Sequence, residues 1–259
     1  MHYKSVLFAG GLALLGLLPA AAQPATTLDT ILKSGTLRVG TTGDYKPFTF
    51  LDTATGAYHG FDIDLARDLA AKMGVKLVFV PTKWADLMKD LGANKFDMAM
   101  GGISVTLPRA KVAYFSHPYL REGKAAIAPC GAVAKYPTLA AIDQKGVRVI
   151  VNPGGTNEAF DHARLKAATI VLNKDNLSIF DKLAAGKADV MITDASETRY
   201  QAKLHKGVLC SIHPNHPFDF AEKAYLLPRD LPLQEFVNTW LHIDQQDGTF
   251  HKIYAKWLQ

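Results

Sequence analysis

ADVMITDASETRYQAKLHK, residues 188–206, changes its period halfway. The first seven residues form an apolar, strand-like run that Asp194 closes. ASETRYQAKLHK then reads as a helix. Glu197 follows the aspartate by three positions. That spacing fits a capping box, with Asp194 as N-cap and Glu197 reaching back to a backbone N–H. Half of a binding site, or a proton donor, are the alternatives, and they need support from elsewhere in the chain. The rest of the chain has to decide.

Outward from this junction the same switch recurs. TLRVGTT (36–42), KLVFVP (76–81), FDMAMGGI (96–103), VRVIVNP (147–153) and TIVLN (169–173) are strand-like. Helical stretches alternate with them: DIDLARDLAAKM (62–73), WADLMKDLGA (84–93), GGTNEAFDHARLKAA (154–168) and NLSIFDKLAAGK (176–187). In the first of these, Ile63, Leu65, Ala66, Leu69 and Ala70 share one face. LPLQEFVNTWLHI and FHKIYAKWL close the chain as two further helices. Such alternation predicts an α/β protein with parallel sheets flanked by helices.

The pattern breaks twice, at SHPYLREGKAAIAP (116–129) and IHPNHPFDFAEKAYLLPRD (212–230), both Pro-containing and mixing aromatics with charges. These read as crossovers, near 116–124 and 212–222, between two lobes. Residues 28–117 with 218–259 make the first lobe and residues 122–212 the second. Ligands then bind in the cleft, outside the carboxyl ends of the strands.

Residues 1–22 stand apart. Lys4 precedes the apolar run VLFAGGLALLGLLP, and Ala20-Ala21-Ala22 offers a small-residue cleavage site, so this reads as a secretory signal cleaved near Ala22. It is short for a membrane span, and no later stretch is longer, so the expected mature protein is soluble and periplasmic. Removing Lys4 takes the formal charge from +5 to +5 − 1 = +4. Basic and acidic residues are interspersed, which argues against nucleic acid as a partner and is compatible with a small anionic ligand. With 48% hydrophobic residues, both lobes can hold real cores. Cys130 and Cys210 are the two cysteines. Export permits a disulfide between them; two buried thiols are the alternative.

Polar groups gather at the strand ends. GGISVTLPRA sets Ser104, Thr106 and Arg109 after a glycine pair; Arg109 is either a two-pronged carboxylate binder or a solvated surface residue. NPGGTNE opens a helix at a glycine pair, suited to an anion, or to a plain turn with Thr156 or Asn157 as N-cap. Tyr45, Phe48 and Trp84 lie near two further strand ends, to face a ring-shaped ligand or to staple the lobe. His213 and His216 sit in a Pro-rich loop without helical geometry, so a metal site is not expected. No dinucleotide fingerprint, P-loop or nucleophile elbow is present, and no cofactor is expected.

The two-lobe layout with GGISVTLPR and NPGGTNE resembles the periplasmic solute-binding proteins for polar amino acids, with a type II fold. TTGDYKPF, VNPGGTNE, TDASE and above all PFDFAEKAYLLPRD make it similar, over about Leu28 to Gln259, to the periplasmic cyclohexadienyl dehydratases on that fold. Those enzymes convert prephenate to phenylpyruvate and arogenate to phenylalanine. The resemblance implies Glu197 as general acid and Arg109 on the substrate's side-chain carboxylate, with Gly155 and Thr156 helping. It implies Asp194 on an ammonium, and Lys124, Asn152 and Asn157 lining the site. Trp84, Asp44 and Tyr45 would face the ring. A non-catalytic amino-acid-binding protein of a transporter is the alternative; it accounts for Arg109 but gives no role to Glu197.

Overall fold

The computed structural model describes residues 1–2 and 24–259. The export signal read from the sequence therefore lies, but for its first two residues, outside the described residues. Two sheets organise the rest. The first has five strands, in the order Lys76–Pro81, Thr36–Thr41, Met98–Ala99, Leu226–Leu227, Tyr114–Phe115. Thr36–Thr41 pairs parallel with both neighbours, Val39 standing opposite Phe79 on one side and Met98 on the other. Leu37 and Val39 are fully buried with Leu65 and Leu69. These leucines come from the helix Phe61–Met73, which buries the face its periodicity marks and stops at Gly74, a left-handed cap with φ 70°.

The chain leaves this lobe along Leu120–Glu122 and returns along Ala221–Lys223. The two strands pair antiparallel as a hinge, with Lys223 opposite Leu120. Beyond it, Lys124–Pro129 lies between Met191–Asp194 and Leu209–Ile212, antiparallel to both. Arg148–Val151 and Thr169–Leu172 form a parallel pair, joined to this sheet by a bridge between Val149 and Val190.

The sheets are thus mixed, where alternation predicts parallel ones. The strands that run backwards, Lys124–Pro129 and Leu226–Leu227, each follow a hinge strand. A strand arriving from a crossover enters at the cleft edge, whereas one closing a βα unit arrives from the far edge. Side-chain periodicity carries no mark of direction, so the reversal is invisible in it. Its consequence is local and large: antiparallel register sets Lys124 directly opposite Asp194.

At the other end of the same sheet Cys130 and Cys210 form the disulfide, with a sequence separation of 80 residues. Cys210 pairs in register with Ala128, which brings the two backbones to 4.8 Å between Cα atoms. A closed loop of this length restricts the unfolded chain by roughly 4–5 kcal/mol in the chain-entropy model. Changing both cysteines to serine should lower Tm by about 10 °C. An unchanged calorimetric transition would show that the bridge adds no stability.

Candidate active site

Two glycine turns shape the cleft. Gly102 has φ 70°, and a Cβ there would lie 2.5 Å from the ring of Tyr45 and 2.7 Å from that of Phe48. No other residue fits without moving both rings. Beneath this turn the buried Asp62 accepts from the Gly102 N–H (2.5 Å) and the Tyr119 hydroxyl (2.8 Å). Desolvation pushes its carboxyl up to about 6 against these hydrogen bonds. On the facing lobe Gly154, φ 85°, approaches Ala85 so closely that a Cβ would meet it at 2.7 Å. Asn176 donates across the cleft to the Asp44 carbonyl at 2.9 Å. The lobes touch.

Between them lies a narrow cleft, with about 300 Å³ of non-protein space counting its open mouth. Tyr45, Trp84, Ser104, Arg109, Asn152, Gly155, Thr156, Asn157 and Asp194 line it. Trp84 meets Tyr45 edge-on at 5.6 Å, and its indole N–H goes to Asp44 at 3.0 Å. Asp44 therefore stands behind the aromatic wall, with burial raising its pKa despite the hydrogen bond from Trp84. Thr106 is not in the wall; its hydroxyl caps the short helix Leu107–Ala110 by accepting from the Arg109 N–H at 3.4 Å. Gly155, rather than Thr156 or Asn157, is the N-cap of Thr156–Arg164, which frees both of those side chains.

Arg109 is 9% exposed, and its guanidinium donates to the Ser104 carbonyl at 2.8 Å. Among the described residues no carboxylate pairs with it. Burial lowers its pKa, with Asp194 opposing. A buried guanidinium with donors to spare is a waiting anion site. Asn152 and Asn176 also line the cleft, each with a buried side-chain oxygen that lacks a hydrogen-bond donor. These are places for ligand hydroxyls.

Asp194 is the hub. Lys124 donates to its Oδ1 at 2.8 Å and Lys223 to its Oδ2 at 2.5 Å, while the Tyr45 hydroxyl also donates to Oδ2. Lys124 further donates to Thr156 Oγ1 at 3.0 Å and to Asn157 Oδ1. Burial works to raise the Asp194 pKa, but the two lysines override it and hold the carboxylate well below its usual range. The capping box suggested by the D-x-x-E spacing does not form. Asp194 is the N-cap of Ala195–Leu204 by backbone alone, and its side chain belongs to the lysines.

Glu197 reaches back past the N-cap to the residue before it. Its carboxyl, 1% exposed, accepts from the Thr193 hydroxyl at 2.6 Å, and Thr193 in turn accepts from Asn157 Nδ2 at 3.0 Å. It thus stands one hydroxyl behind the cleft wall. Desolvation dominates and pushes its pKa up to about 8, only partly opposed by the Thr193 hydrogen bond, and the Asp194 charge adds to the rise. Such a shift favours the uncharged acid at neutral pH.

The candidate residues read from the sequence, Thr106 excepted, line this cleft or stand directly behind its wall, and three more join them. Lys223 is buried on the hinge. Asn176 lines the cleft. Glu122, on the other hinge strand, accepts from the Ser196 N–H at 2.9 Å and lies 3.7 Å from Lys223. Attention to strand ends passes over hinge residues, although Lys223 sits in the conspicuous stretch PFDFAEKAYLLPRD.

Two lobes, a two-strand hinge and a polar cleft define a binding-protein fold, and the chain belongs to the bacterial extracellular solute-binding proteins, family 3, whose model matches residues 37–259. It is 53% identical to the cyclohexadienyl dehydratase of Pseudomonas aeruginosa PAO1, over 96% of this chain and 92% of that one. A solved ancestral amino acid-binding protein, a precursor of cyclohexadienyl dehydratase, superposes with a TM-score of 0.84 at 37% identity, covering 90% of this chain and all of that one (100%). A solved ancestral cyclohexadienyl dehydratase is 49% identical, with a TM-score of 0.58 over 92% of this chain and 98% of its own. Among the described residues no helix is long and apolar enough to cross a membrane.

Proposed function

We propose that this protein is a cyclohexadienyl dehydratase, taking prephenate to phenylpyruvate and arogenate to phenylalanine. The observation that carries the reading is Glu197, a fully buried carboxyl one hydroxyl behind a cleft with surplus positive charge. Arg109, Lys124 and Lys223 reach the cleft against Asp194, a balance of +3 − 1 = +2. Prephenate brings two carboxylates to that surplus.

Arg109 holds the side-chain carboxylate. Asn152, Thr156, Asn157 and Lys124 position the ring substituents, and Trp84 lies against the ring. The ring carboxylate leaves as CO₂, its bonding electrons enter the ring, and the ring C–O bond breaks. Glu197, swinging from Thr193 into the cleft, gives its proton to the departing oxygen, so that water leaves instead of hydroxide. A proton from solvent then restores the acid. The lobes exclude water, which keeps Glu197 neutral until it acts.

The direct test is the purified protein with prephenate at neutral pH, phenylpyruvate being followed by its absorbance in alkali beside an enzyme-free control. No turnover, with measurable affinity for amino acids, would make the protein a plain binder. A pH profile adds a second check. The active form of Glu197 is protonated, so the rate should hold through pH 7 and fall as pH rises through about 8. A rate that climbs through pH 8 would assign the catalysis to a base instead.

A further inference from the structure

Among the described residues lining the cleft, Asp194 is the acidic one, so a ligand ammonium would have to be received there. Both of its oxygens are already engaged. Lys223 is the partner that the cleft chemistry leaves unexplained. Its backbone is held by a bridge to Ser104 and by the Tyr119 N–H, which donates to its carbonyl at 2.9 Å. Its side chain is 1% exposed, with the ammonium 5.3 Å from the ring centroid of Tyr45 and 5.8 Å from that of Phe48. The ammonium donates to Asp194, to Ser104 Oγ at 2.9 Å and, longer, to the Tyr45 hydroxyl at 3.4 Å. Three acceptors exhaust an ammonium.

Ser104 and Tyr45 belong to one side of the cleft and Asp194 to the other. A single buried –NH₃⁺, tethered through the hinge, therefore bridges both walls. We propose that Lys223 is an internal ammonium, standing where the amino group of a ligand would bridge the walls, and that it makes the cleft select 2-keto acids over 2-amino acids. On the dehydratase reading, on which this rests for its substrates, prephenate is preferred to arogenate. The physical reason is charge. A 2-amino group entering beside Lys223 and Lys124 meets two cations and a carboxylate they have already neutralised, whereas a 2-keto oxygen is an acceptor and carries no charge to repel. Lys223 is thus a specificity-determining residue.

The test uses a matched pair differing at that one position, phenylpyruvate and phenylalanine, binding to the intact protein by calorimetry. The expected result is phenylpyruvate tighter by at least ~10-fold, with Lys223→Met shrinking that ratio by ~10-fold or more. The ratio of kcat/KM for prephenate to that for arogenate should shrink alongside. Phenylalanine binding as tightly as phenylpyruvate to the unaltered protein overturns the idea, and this measurement stands even if Lys223→Met does not fold. Equal losses for both ligands in the variant also overturn it, since a merely structural lysine would weaken them together. Failure of the dehydratase reading looks different: prephenate would not be turned over, while the phenylpyruvate-to-phenylalanine ratio would still report on Lys223.

Discussion

Replacing Glu197 by Gln should lower the turnover of prephenate at least ~100-fold and leave its binding nearly unchanged. Glutamine keeps the volume and can still accept from Thr193, as Glu197 does at 2.6 Å. Only the transferable proton is lost. The effect should fall on kcat, because the acid acts as the C–O bond breaks and contributes little to the ground state. Two further readouts separate this from damage to the fold. The residual rate of the variant should lack the descending limb near pH 8. Its stability should also respond differently to pH. The folded pKa of Glu197 lies above its ordinary value of 4.5, at about 8. Folding therefore takes up a proton between those values, and the stability of the unaltered protein declines as pH rises from about 4.5 to about 8. Glutamine has no proton to take up, so Glu197→Gln should be the more stable of the two at pH 8. A variant turning over at near the original rate would remove Glu197 from the chemistry.

Much of this site is legible in the sequence, for a definite reason. Strand-then-helix periodicity locates the ends of Thr36–Thr41, Arg148–Val151 and Met191–Asp194, and polar residues at strand ends in an α/β fold face the cleft. That rule picks out Arg109, Asp194 and the NPGGTNE turn, whereas Asn152, Asn157 and Lys124 are marked as site residues by the dehydratase resemblance. What stays hidden depends on chain direction and on pairs distant in sequence. D-x-x-E reads as a helix cap because caps are local, and nothing local says that Lys124, 70 residues earlier, will stand opposite Asp194. That neighbour exists only because the strand after the crossover runs antiparallel. Lys223 and Glu122 are hidden in the same way. In sequence they are ordinary charges in a Pro-containing stretch, and only the pairing of the hinge strands puts them under the cleft. The dehydratase resemblance, by contrast, rests on whole motifs and marks Glu197, which periodicity by itself assigns to a cap.

Arg109→Ala should raise the Kd for prephenate by ~100-fold or more, the largest effect on binding expected of any single change. Truncating one partner of a buried, hydrogen-bonded charge pair costs about 2–5 kcal/mol, a factor of roughly 30 to several thousand. The free protein should tolerate the change. Its guanidinium is desolvated, with the Ser104 carbonyl as its side-chain partner and no carboxylate among the described residues, so the alanine variant loses one hydrogen bond and is relieved of a buried charge. Unchanged or slightly higher Tm with lost binding is therefore the signature of a ligand-directed arginine. Arg109→Lys separates charge from geometry. A lysine restores the charge but not the planar two-pronged donor set, so it should recover only part of the affinity. Tight prephenate binding in Arg109→Ala would exclude Arg109 as the carboxylate site. Lys124 and Lys223 would then be the remaining cations at the cleft, and both are already committed to Asp194. Their commitment is the reason we propose Arg109 for the carboxylate: of the three cations it alone has, among the described residues, no anionic partner in hydrogen-bond contact, so it alone would gain one on substrate binding.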